Sequence, residues 1–292
     1  IMKALELKIF VFSVFFFFII VNLFENLIYL NLYNQLIIFS LPLIWPGLAH
    51  GSLDILTARR LNLIKSKKTF FFFITIYICI PISFFFFWLK FPDVFFVLFL
   101  ILSGLHFGIS DRESKLFIQK KLEVLLRALI IIFLPIKFYI DEIKEIFTFF
   151  LVSENLISLL FNWSEFFLYL IIFIFLFFLI NVMLKKISVN LIIEITLLLF
   201  CFIYFKPLVS FFIYFCFLHS MRHLLYEKHK LNLSFTKLFI KTLPMTILSC
   251  FFIIFLILTV SQINILNLNH IIVALSSLTI SHVFLINFLK ND

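Results

Sequence analysis

The sequence predicts an all-α membrane protein, a polytopic bundle of about ten transmembrane helices that form one domain over residues 1–292. Hydrophobic residues make up 64% of the chain and charged residues only 13%, whereas charged residues are roughly 25% of a typical soluble domain. Long apolar stretches recur along the whole length. The runs at 10–20 and 166–180 are continuous rather than alternating, which indicates helices and not the strands of a barrel.

Ten apolar segments account for the predicted spans. They cover roughly residues 8–30, 35–56, 69–90, 92–110, 122–140, 165–184, 189–205, 208–226, 238–260 and 270–289. The segment 141–164, between the fifth and sixth spans, mixes five charged residues with apolar ones. We expect this segment to lie along the membrane interface as an amphipathic stretch rather than to cross the bilayer.

Basic residues follow the even-numbered spans. They are Arg59, Arg60, Lys65, Lys67, Lys68, Arg112, Lys115, Lys120, Lys121, Lys185, Lys186, Lys228, Lys230 and Lys290. The connections after odd-numbered spans, such as 141–165 and 261–269, are nearly neutral or acidic. Because positive loops stay on the cytoplasmic side, both termini are predicted to be cytoplasmic. These loops also explain the net charge of +9, so no nucleic-acid partner is expected.

Five of the seven histidines lie inside predicted spans, where an ionisable side chain is costly and therefore a candidate functional residue. They are His50, His106, His219, His223 and His282. In each of the four even-numbered spans that carry them, one histidine lies six to nine residues before the basic end. This spacing corresponds to ~9–13 Å at the rise of an α-helix, so four helices are predicted to place histidine at one depth.

A metal site is the favoured interpretation of this layer. His219 and His223 are four residues apart, which puts both rings on one face of a helix. Together with His50 and His106 they supply four neutral imidazole ligands, a set that suits Fe(II), zinc or copper.

Glycine and carboxylate residues accompany the histidines. The chain has only four glycines, which form two patterns of close helix packing, Gly47–Gly51 around His50 and Gly104–Gly108 around His106. We therefore expect the second and fourth spans to pack against each other. Asp54 follows His50 by four residues and Asp111 follows His106 by five, and such carboxylates can hold the N–H group of a ligand imidazole. Glu194 lies near a span end, where its carboxylate is expected to reach the interface.

Four segments resemble the motifs of the Brp/Blh-type β-carotene 15,15'-dioxygenases. They are His50-Gly51-Ser52-Leu53-Asp54, His106-Phe107-Gly108-Ile109-Ser110-Asp111, Phe215-Cys216-Phe217-Leu218-His219-Ser220-Met221-Arg222-His223 and Leu278-Thr279-Ile280-Ser281-His282-Val283-Phe284-Leu285-Ile286. The resemblance departs from the family pattern at Ala49 and Ser281, where members often have proline, and the first motif follows an additional span.

This resemblance implies an integral enzyme of a bacterial inner membrane that uses O₂ to cleave all-trans-β-carotene at its central double bond into two molecules of retinal. The implied cofactor is Fe(II), with ligands that fall on His50, His106, His219 and His223. Asp54, Asp111 and His282 then lie beside the ligands in supporting positions. The resemblance also implies a further partner of the protein, a rhodopsin that accepts the retinal.

Three alternatives use the same buried residues. A metal or proton transporter would use the histidines and aspartates as a relay across the membrane. A b-type haem protein would need two axial histidines, and a di-iron desaturase about eight histidines in clustered boxes. A haem absorption band, or polar residues distributed across the whole membrane, would distinguish these alternatives from a single layer of ligands.

Overall fold

The computed structural model describes residues 2–262 and 268–287, and this part of the chain contains helices and no strand. The α-helices are α1 (Met2–Ile28), α2 (Leu32–Pro42), α3 (Asp54–Arg60), α4 (Lys67–Lys90), α5 (Pro92–Asp111), α6 (Phe117–Phe138), α7 (Ile140–Thr148), α8 (Glu154–Met183), α9 (Val189–Tyr204), α10 (Pro207–Tyr214), α11 (Met221–Lys230), α12 (Phe235–Gln262) and α13 (Leu268–Asn287). The predicted all-α class is confirmed. The basic end at Lys290 lies outside the described residues.

Eight helical segments within 2–262 and 268–287 are long and apolar enough to cross a membrane. The two other predicted spans coincide with α6 and α9. Helix α9 has 16 residues, about 24 Å at the α-helical rise and so short of the ~30 Å hydrocarbon core. Helix α6 has 22 residues but carries four charged side chains in its first half and Lys137 near its end. Each of the ten predicted segments is mostly helical within the described residues, and the number that crosses the bilayer stays a prediction.

The expectation that 141–164 forms one interfacial segment was wrong for its second half. Only α7 is a short amphipathic helix, while residues 154–164 belong to the 30-residue helix α8. The start of α8 is fixed by Ser153, whose Oγ accepts a hydrogen bond from the backbone N–H of Leu156 at 3.2 Å. Glu154 follows in the first turn, where a negative charge favours the helix N-terminus.

Two histidine-bearing segments are not α-helical. The chain between α2 and α3 continues as a π-helical turn, Leu43–Gly47, and a 3₁₀ helix, Leu48–Leu53. Pro42 and Pro46 lack the amide hydrogens that an α-helix would need here. A second π-helical turn, Phe215–Ser220, joins α10 to α11. Such turns inside helices are often found at functional sites.

The glycine pair of α5 packs against α6. A Cβ atom on Gly108 would lie 2.5 Å from the backbone oxygen of Val124, and one on Gly104 would lie 3.2 Å from the Cβ of Ala128. The expectation that these glycines pack the second and fourth predicted spans together was therefore wrong for the pair in α5. The pattern reports close packing but does not identify the partner helix.

Connections after the odd-numbered predicted spans lie together on one side of the bundle. Asp93 at the start of α5 accepts hydrogen bonds from the backbone N–H of Ser153 at 2.8 Å and from its hydroxyl at 2.6 Å. Lys206 forms an ion pair with Glu142 at 2.8 Å. Burial alone would raise the pKa of Glu142, but the hydrogen bond and charge of Lys206 lower this pKa below its ordinary value.

Connections after even-numbered spans meet on the opposite side. Arg60, at the end of α3, pairs with the buried Glu227 of α11 at 2.7 Å. The backbone N–H of Ser114 donates to Glu123 at 2.8 Å. The two groups of connections agree with the alternation of loop charges, while the assignment of the basic side to the cytoplasm stays a prediction from the positive-inside rule.

Phenylalanine, leucine and isoleucine side chains are strongly exposed on the outer surface. Phe12 and Phe173 are both 71% exposed, and Phe71, Phe72 and Phe251 are also strongly exposed. Soluble proteins rarely expose an apolar surface this large, whereas lipid chains can cover it without cost. The exposed apolar side chains therefore support the interpretation that this is a membrane protein.

Candidate metal centre

Five imidazole rings form one cluster inside the bundle. The ring centroids of His50 and His219 are 5.6 Å apart, those of His219 and His106 5.0 Å, those of His106 and His282 5.3 Å, and those of His282 and His50 4.9 Å. His223 lies 5.7 Å from His50 and 5.5 Å from His282. All five rings are buried. The structure therefore brings together every histidine that the sequence placed at one depth.

Asp54 holds His282 and not the nearby His50. The Nδ1 atom of His282 lies 2.9 Å from both carboxylate oxygens of Asp54. The hydroxyl of Tyr77 donates to Oδ2 of the same carboxylate at 2.5 Å. Because a carboxylate accepts hydrogen bonds, the proton of His282 lies on Nδ1, and the lone pair of Nε2 is left to act as a ligand.

Asp111 has the same relation to His219. Its Oδ1 atom lies 3.3 Å from Nδ1 of His219, and its Oδ2 atom accepts a hydrogen bond from Tyr214 at 2.6 Å. The backbone oxygen of Asp111 accepts a further hydrogen bond from Arg222 at 2.6 Å. Asp111 is 1% exposed, so this carboxylate is part of the buried centre and not a solvated loop residue.

His50 and His106 are oriented by uncharged acceptors. The Nδ1 atom of His50 bonds the backbone oxygen of Gly47 and lies 3.3 Å from the hydroxyl of Ser220. The Nδ1 atom of His106 lies 3.2 Å from the side-chain oxygen of Asn287. Both partners leave Nε2 as the nitrogen with a free lone pair.

The cluster fits a metal ion by its donor chemistry. Nε2 of His219, Nδ1 of His223 and Nε2 of His282 are buried without a hydrogen-bond partner, although buried polar atoms normally have one. A divalent ion bound at about 2.1 Å would satisfy these nitrogens. Across the described ranges, no group of three or more His, Cys, Asp or Glu residues is placed so that it could hold a metal ion without movement of the side chains. The rings would therefore have to adjust to share one ion.

Aromatic side chains form an apolar wall beside the histidines. The ring centroid of Phe107 lies 4.8 Å from that of His219, and the ring of Phe215 lies 5.3 Å from that of His50. A water-excluding wall of this kind strengthens electrostatic interactions within the centre.

An apolar groove runs beside the same segments and opens on the outer surface. Its volume is about 380 Å³ and it is lined by Ile9, Leu41, Pro42, Trp45, Pro46, Phe217 and Met221. Leu41 is 78% exposed at the rim. Pro46 and Phe217 belong to the two π-helical turns that lead toward His50 and His219. The groove therefore lies on the lipid-facing surface, beside the segments that carry His50 and His219.

A buried ion network supports the centre, and the sequence analysis missed it. Arg222 contacts both oxygens of Glu194, at 3.1 and 2.5 Å, and donates to Glu6 at 3.0 Å. Arg127 pairs with Glu194 at 2.7 Å and with Glu123 at 2.9 Å. Glu194 is 1% exposed, so the expectation that it reaches the interface was wrong. Two features of the sequence could have indicated this network. Arg222 lies between the candidate ligands His219 and His223, and Glu123 and Arg127 have the i, i+4 spacing of a helical ion pair.

The positioning residues Tyr77, Tyr214 and Asn287 were also missed. Each of them contacts a residue on a different helix, and the contact forms only when the helices pack together. Sequence spacing therefore could not predict these contacts. Tyr77 and Tyr214 nevertheless hold the carboxylates of Asp54 and Asp111 in place, and Asn287 contacts Nδ1 of His106 directly.

Comparison with known proteins agrees with these observations. The family model described as beta-carotene 15,15'-dioxygenase matches residues 41–290, a range that contains all five clustered histidines and both aspartates. No curated protein and no solved structure shows a significant match. The resemblance carried by the four motifs is confirmed, and the chain belongs to the β-carotene 15,15'-dioxygenase family.

Proposed function

We propose that this protein cleaves all-trans-β-carotene at its central double bond with O₂ and releases two molecules of all-trans-retinal. The proposed cofactor is Fe(II), held by His50, His106, His219 and His223. The observation that carries the proposal is the cluster of five buried imidazoles in a member of this family, three of which have nitrogen atoms without a hydrogen-bond partner.

The proposed reaction balances without a further reductant. The carbon–carbon double bond and the oxygen–oxygen bond break, and each central carbon takes one oxygen atom as an aldehyde. The metal would supply the O₂ chemistry when bound. The protein contributes neutral ligands, carboxylates that fix their orientation, and an apolar environment that excludes water.

The substrate is a hydrocarbon that dissolves in the bilayer, and the proposed route follows from that property. The apolar groove beside Trp45 and Phe217 opens where lipid would contact the protein. The rings of Phe107 and Phe215 offer a flat apolar surface next to the histidines. We propose that the polyene enters from the membrane and lies against these rings. The proposed location is the inner membrane of a bacterial cell, and a rhodopsin is the proposed acceptor of the retinal.

Expression in a β-carotene-producing bacterium tests the function. Cells that make the protein should lose their orange colour and accumulate retinal, measured by chromatography, and both iron and O₂ should be required. His219→Ala and His223→Ala should abolish cleavage while the protein still inserts into the membrane. Unchanged β-carotene with correctly inserted wild-type protein would contradict the proposal and favour the transporter alternative.

A further inference from the structure

We infer that His282 is itself a ligand of the metal ion, bound through Nε2, and that Asp54 and Tyr77 are the residues that position it. The inference rests on the proposed iron site and extends it from four histidines to five. The family resemblance assigns ligands only to His50, His106, His219 and His223. The geometry points to a fifth.

The His282 ring lies among the four assigned ligands. Its centroid lies 4.9 Å from His50, 5.3 Å from His106 and 5.5 Å from His223. It therefore contacts three of the four assigned ligands directly. Contacts within 6 Å also close a ring through His50, His219, His106 and His282. An ion shared by the four assigned histidines would lie next to His282.

The hydrogen bonds of His282 leave one ring nitrogen free. Its Nδ1 atom contacts both oxygens of Asp54 at 2.9 Å, and its Nε2 atom is buried without a partner. A carboxylate on one ring nitrogen with the other nitrogen free is the usual arrangement of a histidine that binds a metal. His219 has this arrangement too, with Asp111 in place of Asp54. The two residues therefore have equivalent surroundings, although the resemblance assigns only His219 as a ligand.

Three separate helices hold the His282 ring in place. Asp54 begins α3, Tyr77 lies in α4 and His282 lies in α13. The Tyr77 hydroxyl donates to Asp54 at 2.5 Å, and the hydroxyl of Ser281 donates to the backbone oxygen of Tyr77 at 2.6 Å. If His282 served only to hold the helices together, its Nε2 atom would be expected to have a hydrogen-bond partner, as buried polar atoms normally do. The arrangement is explained if Nε2 binds an ion.

Iron binding by the purified protein in detergent tests the inference. Ferrous iron is added without O₂, and the dissociation constant is measured together with the number of imidazole ligands from X-ray absorption. The wild-type protein is expected to bind one iron with five imidazoles. His282→Ala should lower the affinity at least tenfold and remove one imidazole from the count. Asp54→Asn, which keeps an acceptor but removes the charge, should lower the affinity about 10–100-fold.

His229→Ala is the matched control. His229 is exposed near the end of α11, six residues beyond His223. This variant should bind iron as the wild-type protein does.

The outcomes separate this inference from the proposed function. If the wild-type protein binds iron with four imidazoles and His282→Ala leaves the count and the affinity unchanged, His282 is not a ligand and the four-histidine site stands. If the wild-type protein binds no iron, the proposed function fails as well. Should His282→Ala not fold, the wild-type count and the Asp54→Asn affinity decide the question, because four imidazoles and an unchanged affinity would overturn the inference.

Discussion

At the scale of single residues, two buried aspartates orient two histidines across helix boundaries. Asp54 was expected to serve His50, four residues earlier, but the 3₁₀ segment between them changes the direction in which the side chains project. Asp54 therefore meets His282 of α13, and Asp111 meets His219 rather than His106. The sequence could predict which residue types gather at this depth. It could not predict which aspartate holds which histidine, because that depends on helix rotation and packing.

Asp111→Asn is predicted to lower iron affinity by about 10–100-fold, a loss typical when the carboxylate behind a ligand histidine is removed. Asparagine keeps the shape of the side chain but removes the charge that fixes the His219 proton on Nδ1. The measurement is iron titration of the purified variant.

The control for Asp111 lies on the same helix. Asp93, at the other end of α5, accepts hydrogen bonds from the backbone and the hydroxyl of Ser153. These hydrogen bonds do not involve the histidine cluster. Asp93→Asn should leave iron affinity unchanged. Equal losses in both variants would mean that Asp111 acts only through the stability of α5.

At the scale of helices, the glycines of α5 determine how close α6 can approach. Both GxxxG patterns were recognisable in the sequence, but a pattern of small residues does not reveal its partner. In the structure the partner is α6, which also carries Glu123 and Arg127 into the buried ion network. Close packing of α5 on α6 thus positions His106 and the ion network together.

Gly108→Ala is predicted to destabilise the protein by about 1–3 kcal/mol, the usual cost of overpacking. The added Cβ atom would lie 2.5 Å from a backbone oxygen of α6, and backbone cannot move aside as a side chain can. Thermal unfolding in detergent provides the measurement.

Gly51→Ala is the comparison variant, because a Cβ atom there would meet nothing within 4 Å. We expect little change in its unfolding temperature. A Gly108→Ala protein as stable as Gly51→Ala would show that α5 and α6 are not held at this distance.

At the scale of the whole molecule, the alternation of charged connections agrees with how the helix ends gather. Connections after odd-numbered predicted spans contact one another, as Asp93 and Ser153 do, and so do those after even-numbered spans, as Arg60 and Glu227 do. Loop charge was sufficient to predict this division. Helix length was less informative, because the buried charges of α6 and the short length of α9 obscure whether these two helices cross.

The predicted topology places both termini in the cytoplasm. Reporter fusions at Ile64 and Lys230 should therefore report a cytoplasmic location, and a fusion near Ser153 should report the opposite side. Reporter activity in intact cells is the measurement. A cytoplasmic signal near Ser153 would reverse the assignment of the two sides.

The distances along the chain between the clustered histidines have a thermodynamic consequence. His50 and His282 are separated by 231 residues, and their segments pack side by side only in the folded protein. An ion bound to both would act as a reversible cross-link between the two ends of the chain. Since such an ion binds the folded state only, it adds about 2.7 kcal/mol of stability at a free concentration of 100 times its dissociation constant. Iron supply would then set the lifetime of this protein in the membrane as well as its chemistry.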